Sequence, residues 1–300
     1  MTILVLGHLV LDEIHSYQGE VYHSPGGILF SLATFDAVIH PDDRLFPVLP
    51  IGRDASEEWG DLLRRFPLID ARYCRYVEED STRVRLFHES ASQYNTQLVR
   101  GLGPVPFTQI SPLLPQADLV YVNMMTGHDI ELESAAELRG EGRLVYIDLH
   151  MIAYRVHPDG RREPAATDHW QQWLAAGDVL QCNEREFAAM IPGDDEAERL
   201  RRVFDVSDPH CLLVTRGEQG ADIYTAPDHH LHIPAWPPAR IVDPTGCGDA
   251  FGSTFAYGLA CGMELEPAAG NAARVASYVA GIPGSRGMEQ LRATRAGDFR

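Results

Sequence analysis

Residues 243–251 read Asp-Pro-Thr-Gly-Cys-Gly-Asp-Ala-Phe and run directly into a helical pattern. Gly246 and Gly248 flank Cys247, so three successive backbone N–H groups can turn toward one point at the positive end of a helix, where an anion is stabilised. Asp249 stands beside that point. A carboxylate there suits a neutral hydroxyl, which it orients or deprotonates while the amides hold a negative group in transfer. The stretch therefore predicts a phosphoryl-transfer site.

A helix cap is the simpler alternative for this stretch, because Asp is a favoured N-cap and glycine is common before helices. The whole stretch, however, resembles the C-terminal signature of the PfkB, or ribokinase-like, family of carbohydrate kinases, which usually reads Asp-Thr-x-Gly-Ala-Gly-Asp. Pro244 and Cys247 depart from it without adding much bulk. The resemblance implies transfer of the γ-phosphoryl group of ATP to a hydroxyl of a sugar-like molecule, with Asp249 as base and the amides around Gly246, Cys247 and Gly248 stabilising charge.

Three further places resemble the parts of this family that face the sugar. Asp12 looks like the acid that closes the first family strand and accepts hydrogen bonds from hydroxyl groups; a solvated loop acid is the alternative. Gly26 and Gly27 resemble the Gly-Gly pair that opens a helix and lets the backbone approach the substrate. Ser31 stands where the family commonly has asparagine, so it can contact a hydroxyl but cannot present an amide.

Asn183 and Glu186 resemble the family's Asn-x-x-Glu motif and imply that the pair organises Mg²⁺ near the phosphates, since their spacing places both on one helical face. A helix start with capping residues is the alternative. A departure lies upstream, where the family pattern Asp-x-Asn-x-Arg is replaced by a segment from Asp148 that contains His150. Arg155 is a candidate substitute for the missing arginine.

A second glycine loop resembles the part of the family that lies under the nucleotide, and its alternative is an ordinary turn between strands. Its residues are Thr215, Gly217 and Gly220. Asn271 lies on a later helical pattern that borders the adenine in the family. The same comparison suggests a monovalent-cation site framed by Asp243, Thr245 and Ser285.

Short continuous apolar runs alternate with helical patterns, as is typical of strands buried on both faces of a parallel sheet. The predicted strands are Ile3–Leu6, Leu119–Val122, Leu144–Ile147, Val179–Cys182 and Cys211–Thr215. The predicted helices are Gly27–Val38, Ser56–Arg65, Glu131–Arg139, His169–Ala175, Glu184–Met190 and Glu196–Phe204. This order predicts a doubly wound α/β fold, whose ligands bind at the carboxyl ends of the strands.

Two segments, about residues 14–22 and 83–99, interrupt this alternation and read as edge strands or hairpins. They are candidates for a small β lid on a single domain that spans residues 1–300. In the resembled family such a lid covers the sugar and often pairs with a second subunit. The resemblance therefore implies a possible homodimer formed through the lid.

Composition excludes several classes of protein. The net charge is −18 and all 25 basic residues are arginine, so nucleic acid is not an expected partner. No apolar run approaches the roughly 20 residues that span a bilayer, and the chain starts on a strand-like run without a leader pattern, so we expect a cytoplasmic protein that does not bind membranes. The five cysteines lack metal or disulfide spacing. Among them, Cys247 is at a helix N-terminus, which favours a lowered thiol pKa.

Two other functions remain open at this point. A nucleoside or vitamin-precursor kinase of the same superfamily is compatible with the departures at Ser31 and His150. A non-catalytic sugar-binding sensor could keep the same fold, but it would not need the acid at Asp249.

Overall fold

The computed structural model describes residues 1–16, 19–88, 94–166, 168–238 and 240–294. In these ranges no helix is long and apolar enough to cross a membrane. The strands, in chain order, are β1 (Thr2–Leu6), β2 (Leu9–His15), β3 (Val21–Gly27), β4 (Arg44–Val48), β5 (Pro50–Gly52), β6 (Arg75–Val77), β7 (Thr82–His88), β8 (Tyr94–Arg100), β9 (Leu119–Asn123), β10 (Leu144–Asp148), β11 (Tyr154–Val156), β12 (Arg162–Pro164), β13 (Val179–Asn183), β14 (Cys211–Thr215), β15 (Ala221–Ala226) and β16 (His229–Ile233). The α-helices are α1 (Leu29–Val38), α2 (Ser56–Leu63), α3 (Phe107–Ile110), α4 (Ala135–Leu138), α5 (Trp170–Ala176), α6 (Glu184–Met190), α7 (Glu196–Val206), α8 (Cys247–Ala260) and α9 (Leu265–Val279).

The main sheet has eight strands in the order β16-β15-β14-β13-β10-β9-β1-β4. The six strands from β14 to β4 run parallel, and β15 and β16 add an antiparallel edge. One core packs α1, α2, α8 and α9 on one face, around Phe35, Trp59 and Phe255. A second core packs α4 to α7 on the other face, around Trp173 and Phe187. The predicted doubly wound α/β fold is confirmed.

The parallel strands end on polar residues at one edge of the sheet. Asn123 at the end of β9 is in register with Asp148 at the end of β10, and Asp148 is in register with Gln181 on β13. Asn183 at the end of β13 is in register with Thr215 at the end of β14. Because carboxyl ends of parallel strands share one edge, these five side-chain positions form a continuous polar rim.

A separate four-stranded sheet has the order β3-β2-β7-β8. It contains parts of both segments predicted as a lid, although residues 17–18 and 89–93 of those segments lie outside the described residues. The prediction that Asp12 closes the first strand is wrong, because β1 ends at Leu6 and Asp12 lies within β2. A short hairpin, β11–β12, holds the β8 edge of this sheet, with the amide of Leu98 donating to the carbonyl of Gly160 at 2.8 Å.

Most predicted elements agree with the structure to within a few residues. The helix predicted at 131–139 is a 3₁₀ turn, Leu132–Ser134, followed by the short α4. Sequence analysis missed β4, which contains Pro47. Proline removes a ladder donor and argues against a central strand, but β4 is at the edge of the main sheet, where proline is tolerated.

Helix α8 lies close to the sheet at Gly252. A Cβ there would be 2.3 Å from Gln181 Oε1 and 2.9 Å from the Tyr121 hydroxyl. The Tyr121 and Tyr146 rings stack with centroids 5.1 Å apart, and the Tyr146 hydroxyl donates to Gln181 Oε1 at 2.6 Å, so these atoms are held in place. Only glycine fits here without moving the helix.

Gly252→Ala should therefore destabilise the protein by about 1–3 kcal/mol through overpacking. The matched control is Gly270→Ala in α9, where a Cβ would meet nothing within 4 Å and where alanine favours the helix by about 0.5–1 kcal/mol. Urea unfolding of both variants measures the two effects. Equal changes of the unfolding midpoint would contradict the close packing of α8 on the sheet.

Candidate active site

Asp249 lies in the first turn of α8, directly above the polar rim of the sheet. The Asn123 amide donates to Asp249 Oδ1 at 2.6 Å, and the Ser31 hydroxyl donates to the same oxygen at 3.3 Å. The turn before the helix depends on Gly246, whose φ of 82° is in the left-handed region. A Cβ on Gly246 would also lie 2.1 Å from the Phe30 ring, so the turn packs directly on α1.

The amide pocket is smaller than the sequence suggests. The backbone N–H of Cys247 donates to the Pro244 carbonyl at 3.2 Å, and that of Asp249 is bonded to the Asp249 carboxyl group, which leaves that of Gly248 in this turn. The expectation of a lowered thiol pKa at Cys247 is wrong. Burial, together with the nearby acids Asp243 and Asp249, raises the pKa of this thiol to about 12, so Cys247 contributes backbone and packing at this site.

The pKa of the Asp249 carboxyl reflects opposing effects. Burial raises it, whereas the charge of His150 and the hydrogen bonds from Asn123 and Ser31 lower it, and the net direction is upward from the ordinary value. A carboxylate with a raised pKa is a better proton acceptor than a solvated one. The site therefore contains an acid suited to accept a proton from a hydroxyl group.

Gln181 joins this helix start to the sheet. Its Nε2 donates to the Gly248 carbonyl at 3.1 Å and to Asp148 Oδ2 at 3.2 Å, while its Oε1 accepts from the Tyr146 hydroxyl. Asp148 is buried, and burial raises the pKa of its carboxyl; nearby His150 lowers it and Asp249 raises it further. Both positions of the loop, Gly248 and Asp249, are thus bonded to residues of the polar rim.

Asn183 and Glu186 form a reciprocal capping box at the start of α6. Asn183 Oδ1 accepts from the amides of Arg185 and Glu186 at 3.0 and 2.9 Å, and Glu186 Oε2 accepts from the amide of Asn183 at 2.8 Å. The other carboxylate oxygen of Glu186 bonds His150 Nδ1 at 2.8 Å. The capping interaction is therefore present, and Glu186 is 3% exposed. That the pair also organises Mg²⁺ and its waters stays a prediction.

On the acceptor side, Asp12 on β2 stands against the glycine pair at the end of β3. A Cβ on Gly26 would lie 2.0 Å from Asp12 Oδ2, and one on Gly27, with φ 65°, would lie 2.5 Å from the His8 carbonyl. The two glycines therefore make room for the Asp12 carboxylate and for the turn into α1. Burial raises the pKa of Asp12 to about 7, against the opposing charge of Arg162.

Arg162 was missed by sequence analysis, which considered Arg155 instead. The two arginines lie on neighbouring strands of one hairpin, where Arg155 pairs with Glu163 and Val156 pairs with Arg162. Side chains alternate between faces along a strand, so the two arginines point to opposite sides. Arg155 is exposed, whereas Arg162 is half-buried and donates to the Met125 carbonyl at 3.3 Å, near the strand end that carries Asn123.

Ser31 occupies a different place from the one expected. Its side chain is completely buried, bonded to Asp249 and within 3.2 Å of the Asn123 amide nitrogen. Ser31 therefore supports the acid rather than facing an acceptor. The amide that position 31 lacks is supplied by Asn123, a residue whose signal in the sequence is its place directly after the apolar run Leu119–Val122.

The predicted nucleotide loop connects β14 to β15. Thr215 ends β14 beside Asn183, Gly217 and Gly220 adopt φ of 57° and 94°, and a Cβ on Gly220 would lie 2.0 Å from the Ile233 carbonyl. The loop is fixed by Arg216, which donates to Asp222 at 2.5 Å and to Glu196 at 2.7 Å. These residues lie at the same edge of the sheet as Asp249.

Asn271 lies apart from this set. It lines a cavity of about 760 Å³ with His40, Tyr257 and Arg292, beside the second half of α8, and its amide nitrogen is 4.0 Å from Met263 Sδ. Residues of the predicted monovalent-cation site also make other hydrogen bonds. Asp243 accepts from the amide of Thr245 at 2.9 Å, and the hydroxyl of Ser285 donates to the Pro25 carbonyl.

Residues 68–291 match the model of the pfkB family of carbohydrate kinases. The chain belongs to this family. It is therefore a phosphotransferase with a hydroxyl acceptor, and the family was predicted correctly from the sequence.

The described residues include no cluster of three or more histidines, cysteines or acids arranged for a metal ion.

Similar proteins cover nearly the whole of this family member. Cytidine kinase of Thermococcus kodakarensis is 26% identical over an alignment of 281 residues. The alignment covers 89% of this chain and 91% of the relative. A solved pyrophosphate-dependent kinase of the ribokinase family superposes with a TM-score of 0.80 at 16% identity, covering 98% of this chain and all of that one. Ribokinase of Arabidopsis thaliana, solved with ribose and ATP, superposes with a TM-score of 0.73 at 17% identity, covering 100% and 99%. The two solved structures confirm the ribokinase-like fold.

Asn123→Ala should move the acid limb of the kcat/KM profile to higher pH. The variant removes a hydrogen bond that lowers the pKa of Asp249, so the base stays protonated to a higher pH. Ser31→Ala should act in the same direction and more weakly, because its bond to Asp249 is longer, 3.3 against 2.6 Å. An acid limb that stays in place in Asn123→Ala would show that this amide does not tune Asp249.

The acceptor KM should rise as the pH falls through about 7, because Asp12 becomes protonated there and loses acceptor capacity for hydroxyl groups. Arg162→Gln removes a charge that lowers the pKa of Asp12, so the rise in KM should move to higher pH. Arg161→Gln is the matched control, since this neighbour is 59% exposed and interacts with Glu163. Superimposable KM profiles for the two variants would refute the link between Arg162 and Asp12.

Proposed function

We propose that this chain is an ATP-dependent kinase that transfers the γ-phosphoryl group to a hydroxyl of a sugar or nucleoside, with Asp249 as the base. The acceptor hydroxyl lies between Asp249 and Asp12, and its oxygen attacks the γ-phosphorus as its proton passes to Asp249. The backbone N–H of Gly248, at the positive end of α8, faces the negative group in transfer. Phosphoryl transfer depends mainly on positioning and charge stabilisation, which this arrangement supplies.

The observation that carries this proposal is the 2.6 Å hydrogen bond between Asn123 and Asp249. It aligns an acid with a raised pKa at the start of a helix, next to a backbone amide suited to an anion. A helix cap alone would not explain it, because the Asp249 side chain, besides a bond to its own backbone N–H, bonds a strand end and α1. A base beside an anion pocket is the arrangement that a kinase requires.

The acceptor belongs to the sugar-like compounds, and the nucleosides are favoured among them by the relative that spans most of this chain, a cytidine kinase. Asp12 and Arg162 suit such an acceptor chemically. A carboxylate accepts hydrogen bonds from two hydroxyl groups, and a guanidinium donates to the oxygens that remain, so the pair fits a neutral diol such as that of ribose.

ATP is the proposed donor, and its base and phosphates would lie along the glycine loop of Thr215, Gly217 and Gly220. This loop opens on the same edge of the sheet as Asp249. Mg²⁺ would enter with the phosphates that bind it. Asn271 lies on α9 beside the second half of α8, and we leave it outside the proposed nucleotide site.

We further propose that the four-stranded sheet acts as a lid on the acceptor within one domain, and that it joins a second copy of the chain. Asp12 lies in this sheet, which supports its place over the acceptor. Val21, Tyr22, Phe87 and Val99 leave 39–56% of their surface exposed there, which supports a contact surface. A cytoplasmic location is in keeping with five cysteines that are all free.

Turnover with a panel of sugars, sugar phosphates, sugar acids and nucleosides tests the proposal, with ATP and pyrophosphate as alternative donors. We expect phosphorylation of at least one neutral diol with ATP. Asp249→Asn should lower kcat by about 1,000-fold or more while ATP affinity stays largely intact, because the hydroxyl loses its base. Substantial activity of Asp249→Asn would refute its role. Binding of a ligand without any donor consumption would identify a sensor instead.

A further inference from the structure

His150 has an unusual backbone conformation for its residue type. Among the residues that the structure describes, it is the one non-glycine residue with positive φ, at 25°. Such conformations are strained and persist where surrounding contacts enforce them, often at functional sites. His150 follows the strand end at Asp148, in the segment where the sequence departs from its family.

Two acids hold His150 in this conformation. The carboxyl group of Asp148 accepts a hydrogen bond from the backbone N–H of His150. Glu186 Oε1 bonds His150 Nδ1 at 2.8 Å, and the Glu186 carboxylate is itself fixed by the amide of Asn183. Glu186 is 3% exposed, whereas the His150 side chain remains 37% exposed. The ring is therefore anchored through Nδ1, and Nε2 is the atom that it offers to a ligand.

The imidazole lies beside the amide pocket. The charge of His150 acts on the carboxyl groups of both Asp249 and Asp148, which places the ring near the base. Gln181 connects Asp148 to the Gly248 carbonyl, so the anchor of His150 and the amide pocket are joined by one set of hydrogen bonds. His150 therefore lies near Asp249 and the start of α8.

The charges around His150 explain why a cationic side chain is needed at this position. The chain has a net charge of −18 and no lysine, and the side chains that face His150 are the acids Asp148, Glu186 and Asp249. A phosphoryl group entering such a site needs a local positive charge. Burial alone would lower the pKa of His150, but Glu186, Asp148 and Asp249 raise it to about 9, so the ring carries a proton at neutral pH.

We propose that His150 is a catalytic residue of the phosphoryl transfer, whose Nε2–H donates to a non-bridging oxygen of the γ-phosphoryl group as it passes to the acceptor. This inference rests on the proposed function. The acceptor oxygen forms a bond to phosphorus while the bond from phosphorus to the bridging oxygen breaks, and ADP leaves with the electron pair. The hydroxyl proton goes to Asp249. His150 transfers no proton; it stabilises charge that develops on the equatorial oxygens.

The first experiment uses His150→Gly, because glycine tolerates positive φ and removes the imidazole without leaving another hydrogen-bond donor. With the acceptor that wild type phosphorylates, kcat should fall by about 100-fold, the usual cost of one lost donor to a transition-state oxyanion. The acceptor KM should stay within roughly twofold, since the lost contact is to the phosphoryl group. His157→Gly is the matched control, because His157 also pairs with a glutamate, Glu163 at 2.6 Å, but lies on the β11–β12 hairpin.

The second experiment separates chemistry from structure. His150→Gly keeps the backbone conformation and leaves a space for free imidazole, which should restore part of the lost kcat in a concentration-dependent way. Imidazole should not rescue Asp249→Asn, whose defect is a missing base. A purely structural role of His150 predicts no rescue in either variant.

The outcomes distinguish this inference from the proposed function. Wild type that phosphorylates no acceptor would overturn both. Active wild type with His150→Gly at nearly full kcat, or with His150→Gly insensitive to imidazole, would overturn the role of His150 and leave the kinase assignment standing. Loss of kcat in His150→Gly together with its rescue by imidazole supports the proposal.

Discussion

The hydrogen bond from Asn123 to Asp249 joins the two parts of the molecule on which the site depends. Asn123 ends a strand in the middle of the parallel sheet, and Asp249 begins the helix that crosses above it. The bond can be 2.6 Å long only because α8 comes close to its neighbours at two glycines, Gly246 against Phe30 and Gly252 against the buried tyrosine pair. Backbone shape at two positions without side chains therefore sets the position of Asp249, the proposed base.

The second constraint is the concentration of acids at the edge of the sheet. Asp249 and Glu186 both raise the pKa of Asp148, because like charges in a desolvated site disfavour ionisation. Basic side chains offset these negative charges locally. His150 lies among the three acids, and Arg162 lies near Asp12. The net charge of the chain thus says little about the field that a bound phosphate meets, which is set by a few neighbouring donors.

The fold could be predicted from the sequence because parallel strands buried on both faces leave continuous apolar runs, which the chain shows in alternation with helices. Asp249 could be predicted because its motif is contiguous. Asn123 and Arg162 could not, since each reaches the site from a segment remote in sequence, and only the folded sheet and hairpin bring them near Asp249 and Asp12. Cys247 was misjudged for another reason: a helix N-terminus is visible in sequence, but the burial that opposes its effect on the thiol is not.

The β11–β12 hairpin has a consequence for how the small sheet meets other chains. Unpaired strand edges are templates for the addition of another strand. On β8 this edge is occupied by the hairpin, through the bond between Leu98 and Gly160 and a bridge between Gln97 and Arg161. At the opposite edge, Val21 and Tyr22 of β3 are at least half exposed. The two edges of the sheet therefore differ. Strand addition is blocked at the β8 edge and open at the β3 edge, which favours a closed pair of chains over a growing fibre.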